Sequence, residues 1–311
     1  MAMSPDGTIK IPTFHVNSFT GKGLRGNPSV VCLLETWMDD RTLQHIAYQN
    51  NVSETAFLVG RHEKWDRENT YELRCFTPTV EVDLCGHATL ASGVVICSYV
   101  NTDCAHVCFK TMSEIDQWSA EKWSDVSSLR FTKPNVFVEK RGDLFSIDFP
   151  ARPPAQAAPS AVLTEGLGMA PNEVFQSRDL LAVFNDEAQI QNMTPDVRVL
   201  AQMRDVFGII VTAPGMTVDF VSRFFSPNAG IPEDPVTGSA HCTLVPYWAA
   251  RLGKDTLHAQ QLSARGGELF CEHNGKRVTI AGRAVVKQQG ETSLLVTPVG
   301  ALQIGYTKDY I

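Results

Sequence analysis

The spacing of apolar residues predicts mostly strands in the first half of the chain. Residues 9–19, IKIPTFHVNSF, alternate between apolar and polar, which is typical of a half-buried strand. Residues 29–34, SVVCLL, form a continuous run rich in β-branched side chains, which indicates a fully buried strand. The same criteria predict further strands or hairpins at residues 53–60, 70–78, 102–110, 127–132, 135–150, 179–185, 206–214 and 219–227.

Helical spacing appears in fewer segments. Residues 38–51 place Leu43, Ile46 and Ala47 on one face, with an acidic residue at the start to cap the helix and two asparagines at its end. Shorter helices are predicted at residues 161–168, which end in a glycine, and at residues 194–203, with a proline near the start.

One helix is apolar on every face. It runs from about His87 to Tyr99, and its body from Ala88 to Cys97 contains no charged residue. A helix that is apolar all round is buried all round. We therefore expect this helix to run through the middle of a sheet that surrounds it.

A second buried helix is predicted after residues 233–241, EDPVTGSAH. This stretch brings two carboxylates, a glycine, a hydroxyl and an imidazole to the start of an apolar run. The first N–H groups of a helix have no partner inside it and can hold an anion. Pro246 falls inside the predicted helix, where it should remove a hydrogen bond and bend the axis.

The segments that lead into these two helices resemble each other. Residues 74–91 and 223–244 both contain Arg-x-Phe, a hydroxyl residue and Pro, and then an acidic linker, Gly, one polar residue and Ala. This similarity predicts an internal duplication at the scale of a domain. Chance resemblance between short glycine-containing turns is the alternative. The matched pairs are Arg74 with Arg223, Phe76 with Phe225, Thr77 with Ser226, Pro78 with Pro227, Gly86 with Gly238, His87 with Ser239 and Ala88 with Ala240.

Composition narrows the class of protein. A chain of 311 residues is long enough for two domains, and 43% hydrophobic residues support ordinary cores. The net charge of −7 and the lack of a basic cluster argue against nucleic acid or an anionic membrane as a partner. The N-terminal residues contain no long apolar run, so a soluble, cytoplasmic protein with no membrane contact is expected.

Two similar halves with buried central helices imply a cleft faced by both helix N-termini. Such a cleft suits a carboxylate or enolate, and acidic side chains there can move protons. The side chains expected in it are those of Glu54, His87, Asp234 and Ser239. Each candidate also has a purely structural interpretation: an exposed strand start for Glu54, helix capping for His87 and Ser239, turn formation for Asp234, and backbone geometry for Gly86 and Gly238.

Four motifs resemble those of the phenazine-biosynthesis PhzF family of isomerases. They are GNPSVV at 26–31, NVSETAFL at 51–58, FTPTVEVDLCGHATLA at 76–91 and EDPVTGSAHCTLVPYWAARLGK at 233–254. The resemblance implies the diaminopimelate epimerase-like fold, an α+β class. Its two pseudo-symmetric domains are each a barrel-like, mostly antiparallel sheet around a central helix. The expected domains are residues 1–132 and 133–297, with the tail 298–311 returning to the first.

The same resemblance implies residue roles. Glu54 would be the catalytic acid–base residue, which moves a proton during double-bond migration in a small carboxylate-bearing substrate such as trans-2,3-dihydro-3-hydroxyanthranilate. The family also implies no cofactor, no metal and a homodimer. The residues expected to bind the substrate are Gly86, His87, Asp234, Gly238 and Ser239.

Two departures leave alternatives open. Related epimerases use two facing cysteines, and Cys85 matches one of them, but Asp234 and Pro235 stand where the other would be. Residues 112–126 replace a short turn of the family and suggest an inserted helix or flap. An amino-acid-type epimerase that pairs Glu54 with Asp234 or His87 therefore remains a second hypothesis. A non-catalytic protein-binding member is the third.

Overall fold

The elements follow the sequence pattern closely. A computed structural model of the protein describes residues 8–60, 69–82, 85–111, 135–296 and 302–309. In chain order the elements are β1 (Thr8–Thr20), β2 (Asn27–Leu34), α1 (Asp40–Asn50), β3 (Glu54–Gly60), β4 (Thr70–Phe76), β5 (Glu81–Val82), α2 (Gly86–Val95), β6 (His106–Lys110), β7 (Asn135–Arg141), β8 (Leu144–Pro150), β9 (Ala155–Gln156), α3 (Ala161–Leu167), β10 (Glu173–Gln176), β11 (Leu180–Val183), α4 (Glu187–Asn192), α5 (Val197–Leu200), β12 (Ile209–Pro214), β13 (Phe220–Ser226), β14 (Ile231–Asp234), α6 (Gly238–Leu252), β15 (Thr256–Gln261), β16 (Gly267–Asn274), β17 (Arg277–Val296) and β18 (Leu302–Asp309).

Most predicted elements are confirmed within the described residues. The helix predicted at 38–51 is α1. The Asp39 side chain caps its start, and the residue that follows its end, Asn51, adopts the left-handed conformation. The helix predicted at 194–203 is wrong in length, since α5 has only four residues. The Asp196 side chain caps it by accepting from two backbone N–H groups, so the helix begins after that residue. The strand at 127–132 and the insertion at 112–126 lie outside the described residues.

The described residues divide into two compact units. Unit 1 takes those within Met1–Ser18, Pro28–Phe145 and Ala284–Ile311, and unit 2 takes those within Phe19–Asn27 and Ser146–Arg283. The predicted boundaries at 132/133 and 297/298 fall outside the described residues and stay predictions. Strand β18 pairs antiparallel with the C-terminal half of β17 within unit 1.

The two units repeat one strand topology. In unit 1, β2 is parallel to β3, β3 antiparallel to β4, β4 antiparallel to β5 and parallel to β6, and β6 antiparallel to β7. In unit 2 the same sequence of pairings joins β11, β12, β13, β14, β15 and β16. The helices α2 and α6 occupy equivalent places, just before the strand that pairs in parallel. This agreement confirms the predicted duplication.

Equivalent side chains repeat as well. The Arg74 guanidinium donates from Nε and Nη2 to the two carboxylate oxygens of Glu81, both at 2.6 Å. Arg223 makes the same bidentate pair with Glu233, at 2.7 and 3.0 Å. Each guanidinium also lies 5.1 Å from the ring centre of the phenylalanine two residues later. The Arg-x-Phe motif is therefore a structural element that ties β4 to β5 and β13 to β14.

Both central helices are buried as predicted. Every residue of α2 is buried, and so are the first nine residues of α6, from Gly238 to Pro246. Helix α2 packs on β3, β6 and β7, and α6 packs on β15 and β16. The α6 helix continues through Pro246 to Leu252. Within the described ranges, no helix is both long and apolar enough to cross a membrane.

The close packing of α2 can be tested at Gly93. A Cβ atom at this position would lie 2.4 Å from Cγ1 of Val138, a fully buried and rotationally restricted side chain of β7. We predict that Gly93→Ala destabilises the protein by about 1–3 kcal/mol, although alanine is the better helix former. Urea unfolding measures the change. Gly305→Ala, where a Cβ meets open space, is the control. A Gly93→Ala variant as stable as the wild type would contradict this packing.

Candidate active site

Three reactive side chains meet in unit 1, where the start of β3 lies beside the start of α2. Glu54 is the first residue of β3, and its Oε2 lies 2.9 Å from Nε2 of His87, the second residue of α2. The other ring nitrogen of His87, Nδ1, lies 3.8 Å from Sγ of Cys85. All three residues are buried, with 8% or less of their surface exposed. The imidazole therefore lies between a carboxylate and a thiol.

Backbone contacts hold the first turn of α2 in place. The Ser18 hydroxyl donates to the carbonyl of His87 at 2.8 Å. The Thr89 hydroxyl donates to the carbonyl of Cys85 at 2.6 Å, and the backbone N–H of Thr89 donates to the same oxygen at 3.1 Å. These bonds fix the backbone on both sides of Gly86 and so fix the direction of the His87 side chain.

The environment of His87 favours its charged form. Burial lowers the pKa of His87, but Cys85 in its ionised form and the Glu54 carboxylate raise it by more, so that the net pKa lies well above 6.5. The resulting imidazolium forms an ion pair with the Glu54 carboxylate across the 2.9 Å contact between Nε2 and Oε2. Opposite charges attract more strongly in a buried site than in water.

Cys85 stays a neutral thiol near neutral pH. Burial, a hydrogen bond with Cys75 and the charge of Glu54 all raise the pKa of the Cys85 thiol well above 9.0. Donor atoms of Glu54, Cys85 and His87 lie within 4.8 Å of one another, a spacing that also suits a metal ion. The metal-free site implied by the family resemblance therefore stays a prediction.

Unit 2 places a different set of groups at the start of α6. Gly238 begins the helix, and the hydroxyl of Ser239 accepts a hydrogen bond from Nη2 of Arg178 at 3.2 Å. Ser239 and Arg178 are both buried. The N-cap residue, Thr237, makes no side-chain capping bond. A hydroxyl, a guanidinium and the first amides of α6 thus come together.

Asp234 has defined partners in the turn before α6. One carboxylate oxygen accepts from the side-chain amide of Asn27 at 2.8 Å, and the other accepts from the Thr237 hydroxyl. Gln261 donates to the Asp234 carbonyl at 2.8 Å. The Asp234 carboxylate therefore organises the turn that leads into α6. Its predicted contact with a substrate stays a prediction.

The histidine of the EDPVTGSAH stretch, His241, has a structural role. His241 is fully buried, and its Nδ1 donates to the carbonyl of Thr237 at 2.8 Å. Burial lowers the pKa of His241 to about 4, so the ring is neutral near neutral pH. Its ring centre lies 5.8 Å from that of Phe220. This histidine belongs to the core of unit 2.

Helix capping separates the two central helices from the other α-helices that the structure describes. The helices α1, α3, α4 and α5 each begin with an Asp or Ser side chain that accepts from a first-turn N–H. The N-cap residues of α2 and α6, Cys85 and Thr237, make no such side-chain bond. Anion binding by the first amides of these helices stays a prediction.

The structure brings some predicted residues together and adds others. Glu54 and His87 are in contact, with Gly86 beside them. Asp234 lies in the turn that leads to Gly238 and Ser239. Sequence reasoning missed Arg178, in the loop before β11, and Asn27, the first residue of β2. Both reach partners far along the chain. The predicted cleft stays a prediction.

Comparisons with a family model and with curated proteins identify the same family. The family model described as phenazine biosynthesis-like protein, PhzC-PhzF, matches residues 16–290. An uncharacterized isomerase of Pseudomonas aeruginosa is 43% identical over 92% of this chain and 100% of its own length. The human phenazine biosynthesis-like domain-containing protein is 36% identical over 91% of this chain and 99% of its own length.

Comparisons with solved structures support the same family and fold. A PhzF family protein from Enterococcus faecalis superposes with a TM-score of 0.79 and 38% identity, over 91% of this chain and 99% of that one. A hydroxyproline epimerase from Agrobacterium vitis, 10% identical, reaches a TM-score of 0.58 over 94% of both chains, which shows a shared fold alone. The chain has the α+β fold of the diaminopimelate epimerases and proline racemases, and it belongs to the PhzC-PhzF family of phenazine biosynthesis-like proteins.

Proposed function

We propose that this protein is a cofactor-independent isomerase that moves a proton within a small carboxylate-bearing substrate. The observation that carries the proposal is the 2.9 Å contact between Glu54 and His87, buried at the uncapped start of α2. A buried carboxylate that is held by an imidazolium is oriented for general acid–base work. The proposed substrate class is a molecule like trans-2,3-dihydro-3-hydroxyanthranilate.

The proposed step is a proton transfer through Glu54. One carboxylate oxygen, Oε2, is held by His87, and the other takes a proton from a substrate carbon. The electron pair of the broken C–H bond shifts into a new double bond, and the existing double bond moves. Glu54 then returns the proton to a second carbon. The first amides of α2 and the His87 imidazolium stabilise the negative charge that develops on the substrate.

The proposed substrate-binding residues follow the family motifs. Gly86 and His87 in unit 1, and Gly238 and Ser239 in unit 2, offer helix-start amides and polar side chains, and Asp234 orders the turn before α6. The proposed assembly is a homodimer in the cytoplasm, without cofactor, nucleic acid or membrane as a partner.

A second candidate function is epimerisation of an amino-acid-type substrate. The observation that favours it is the thiol of Cys85 at 3.8 Å from His87, which adds a second proton-carrying group beside Glu54. The two functions differ in the fate of the proton. In D2O, epimerisation places deuterium at a stereocentre without moving a double bond, whereas isomerisation shifts the double bond and changes the ultraviolet absorbance.

We predict that Glu54→Gln lowers turnover of trans-2,3-dihydro-3-hydroxyanthranilate by at least about 100-fold, since positioned acid–base groups contribute 10²–10⁴-fold. The amide keeps the shape of the side chain but cannot accept the proton. Steady-state absorbance measures the rate, and calorimetric binding of anthranilate tests whether the site is otherwise intact.

The matched control for this variant is Glu72→Gln, which removes a carboxylate that accepts from Trp37 at 2.7 Å elsewhere in unit 1. It should keep full turnover. A Glu54→Gln protein that retains wild-type turnover would contradict the proposed role of Glu54. A wild-type protein that leaves this compound unchanged would contradict the proposed substrate class.

The Glu54–His87 pair also predicts a pH dependence of stability. The pKa of His87 is raised in the folded protein above its ordinary value of 6.5, so the pair stabilises the fold fully below that value. This contribution is lost as the pH rises through the higher folded pKa. We predict that the wild type exceeds His87→Gln in free energy of unfolding most below pH 6.5, and that the difference shrinks as the pH rises through the higher folded pKa.

Urea unfolding at several pH values measures this difference. His273→Gln, which removes a histidine paired with an exposed carboxylate in unit 2, is the control and should show little pH-dependent loss. A difference between wild type and His87→Gln that grows with rising pH would rule out a raised His87 pKa.

A further inference from the structure

Two cysteines of unit 1 are in close contact beyond the end of α2 that lies opposite His87. Cys97 is in the π-helical turn that follows α2, at Ile96–Val100, and Cys104 is in the loop before β6. Both are free thiols, and their Sγ atoms are 2.7 Å apart. A disulfide bond is about 2.0 Å long, so the two sulfur atoms need to approach by only about 0.7 Å to be joined.

Backbone hydrogen bonds hold the two cysteines at this separation. The N–H of Asn101 donates to the carbonyl of Ile96 at 2.8 Å, which closes the π-helical turn. The N–H of Cys104 donates to the carbonyl of Asn101 at 3.2 Å, which turns the chain back toward Cys97. The side-chain amide of Asn101 also donates to the side-chain oxygen of Asn69 at 2.8 Å. The backbone around both cysteines therefore brings the thiols together.

The two thiols differ in their access to solvent. Cys97 is 1% exposed and Cys104 is 7% exposed, and the neighbours of Cys104, Asp103 and Ala105, are exposed. An accessible thiol reacts with an oxidant before an enclosed one does. We therefore expect a small oxidant to reach Cys104 first, with Cys97 in place to complete the bond.

The charge state of Cys97 allows the close contact. Burial and then the neighbouring Cys104 raise the pKa of the Cys97 thiol above its ordinary value of 9.0, while the charge of Lys140 lowers it by less. Cys97 is therefore a neutral thiol near neutral pH, and no repulsion between thiolates separates the sulfur atoms. Because the thiolate is the nucleophile, the raised pKa also makes Cys97 slow to react with an external oxidant. Cys97 is better suited to a second step, in which its partner is already in contact.

We propose that Cys97 and Cys104 are an oxidation site, which a small peroxide converts into a reversible disulfide. The Cys104 sulfur attacks one oxygen of hydrogen peroxide, the O–O bond breaks, and the products are a Cys104 sulfenic acid and water. The Cys97 sulfur then attacks the Cys104 sulfur, loses its proton and releases the hydroxyl group as a second water. The peroxide takes up the two electrons that the thiols lose, and a dithiol reductant reverses the reaction. The proposal does not involve Glu54 and does not rest on the proposed function.

Two other disulfides are the alternatives that a test must separate. Cys75 and Cys85 share a hydrogen bond near Glu54, and Cys108 follows Cys104 by four residues, in β6. Cleavage before aspartate distinguishes the three pairs, because it yields peptides 66–82 with Cys75, 83–102 with Cys85 and Cys97, and 103–115 with Cys104 and Cys108.

The experiment treats the full-length protein with hydrogen peroxide and blocks the remaining thiols with N-ethylmaleimide in denaturant. Endoproteinase Asp-N then digests the protein without reductant. Mass spectrometry should show peptide 83–102 joined to peptide 103–115 as the main form of both, lighter by two hydrogens than their sum. Dithiothreitol should separate the two peptides. A Cys75–Cys85 disulfide joins 66–82 to 83–102 instead, and a Cys104–Cys108 disulfide stays within 103–115.

Three variants assign the link to its cysteines. Cys97→Ala and Cys104→Ala should each abolish it. Cys108→Ala is the matched control, since it removes a buried thiol from the same peptide as Cys104, and it should keep the link. Fragmentation of the linked wild-type peptides identifies the two cysteines independently of how well the variants fold.

The proposal is overturned if peroxide-treated wild type yields no link between peptides 83–102 and 103–115. It is also overturned if the link persists without Cys97 or without Cys104, or if fragmentation places it at Cys85 or Cys108. None of these readouts uses turnover, so failure of this proposal and failure of the Glu54 role are separate outcomes.

Discussion

The complete burial of α2 and α6 is the constraint on which the rest of the structure depends. Neither helix has a solvated face in its first part, so polar side chains there must find partners or lie at the helix start. A buried helix start also leaves amides that need an acceptor. In both units the functional groups therefore collect at one place, the first turn of the central helix.

The two units share their strand pairings but differ in the polar groups at the start of the central helix. Both units keep the same strand pairings and the same bidentate Arg–Glu pair beside a phenylalanine. At the helix starts they differ, because His87 in unit 1 meets a carboxylate while Ser239 in unit 2 meets a guanidinium. The repeated motif thus serves the fold, and the positions that differ carry the proposed reaction.

Whether the sequence predicts a feature of the site depends on how far apart in the chain the residues that form it lie. The uncharged run from Ala88 to Cys97 was enough to predict a buried helix, because the absence of a polar face can be seen within a few consecutive turns. Glu54 and His87 were expected in one cleft from the duplicated halves, and the family motifs then gave Glu54 its proposed role. Arg178 was missed because it reaches Ser239 across 61 residues, from a loop whose Ser-Arg-Asp sequence is typical of a surface turn. No periodic pattern separates a buried arginine from an exposed one in such a loop.

Asn27 extends the same argument to the GNPSVV and EDPVTGSAH motifs. Its side-chain amide donates both to the Asp234 carboxylate and to the carbonyl of Val236, at 2.8 and 2.9 Å. Just before it, the backbone of Gly26 donates to Gly266 at 2.9 Å. These bonds explain why residues 19–27, although near the start of the chain, belong to unit 2. Two motifs more than 200 residues apart therefore form one structural element. Because the Asp234 carboxylate is held by Asn27 and Thr237, that element fixes the position of the α6 start.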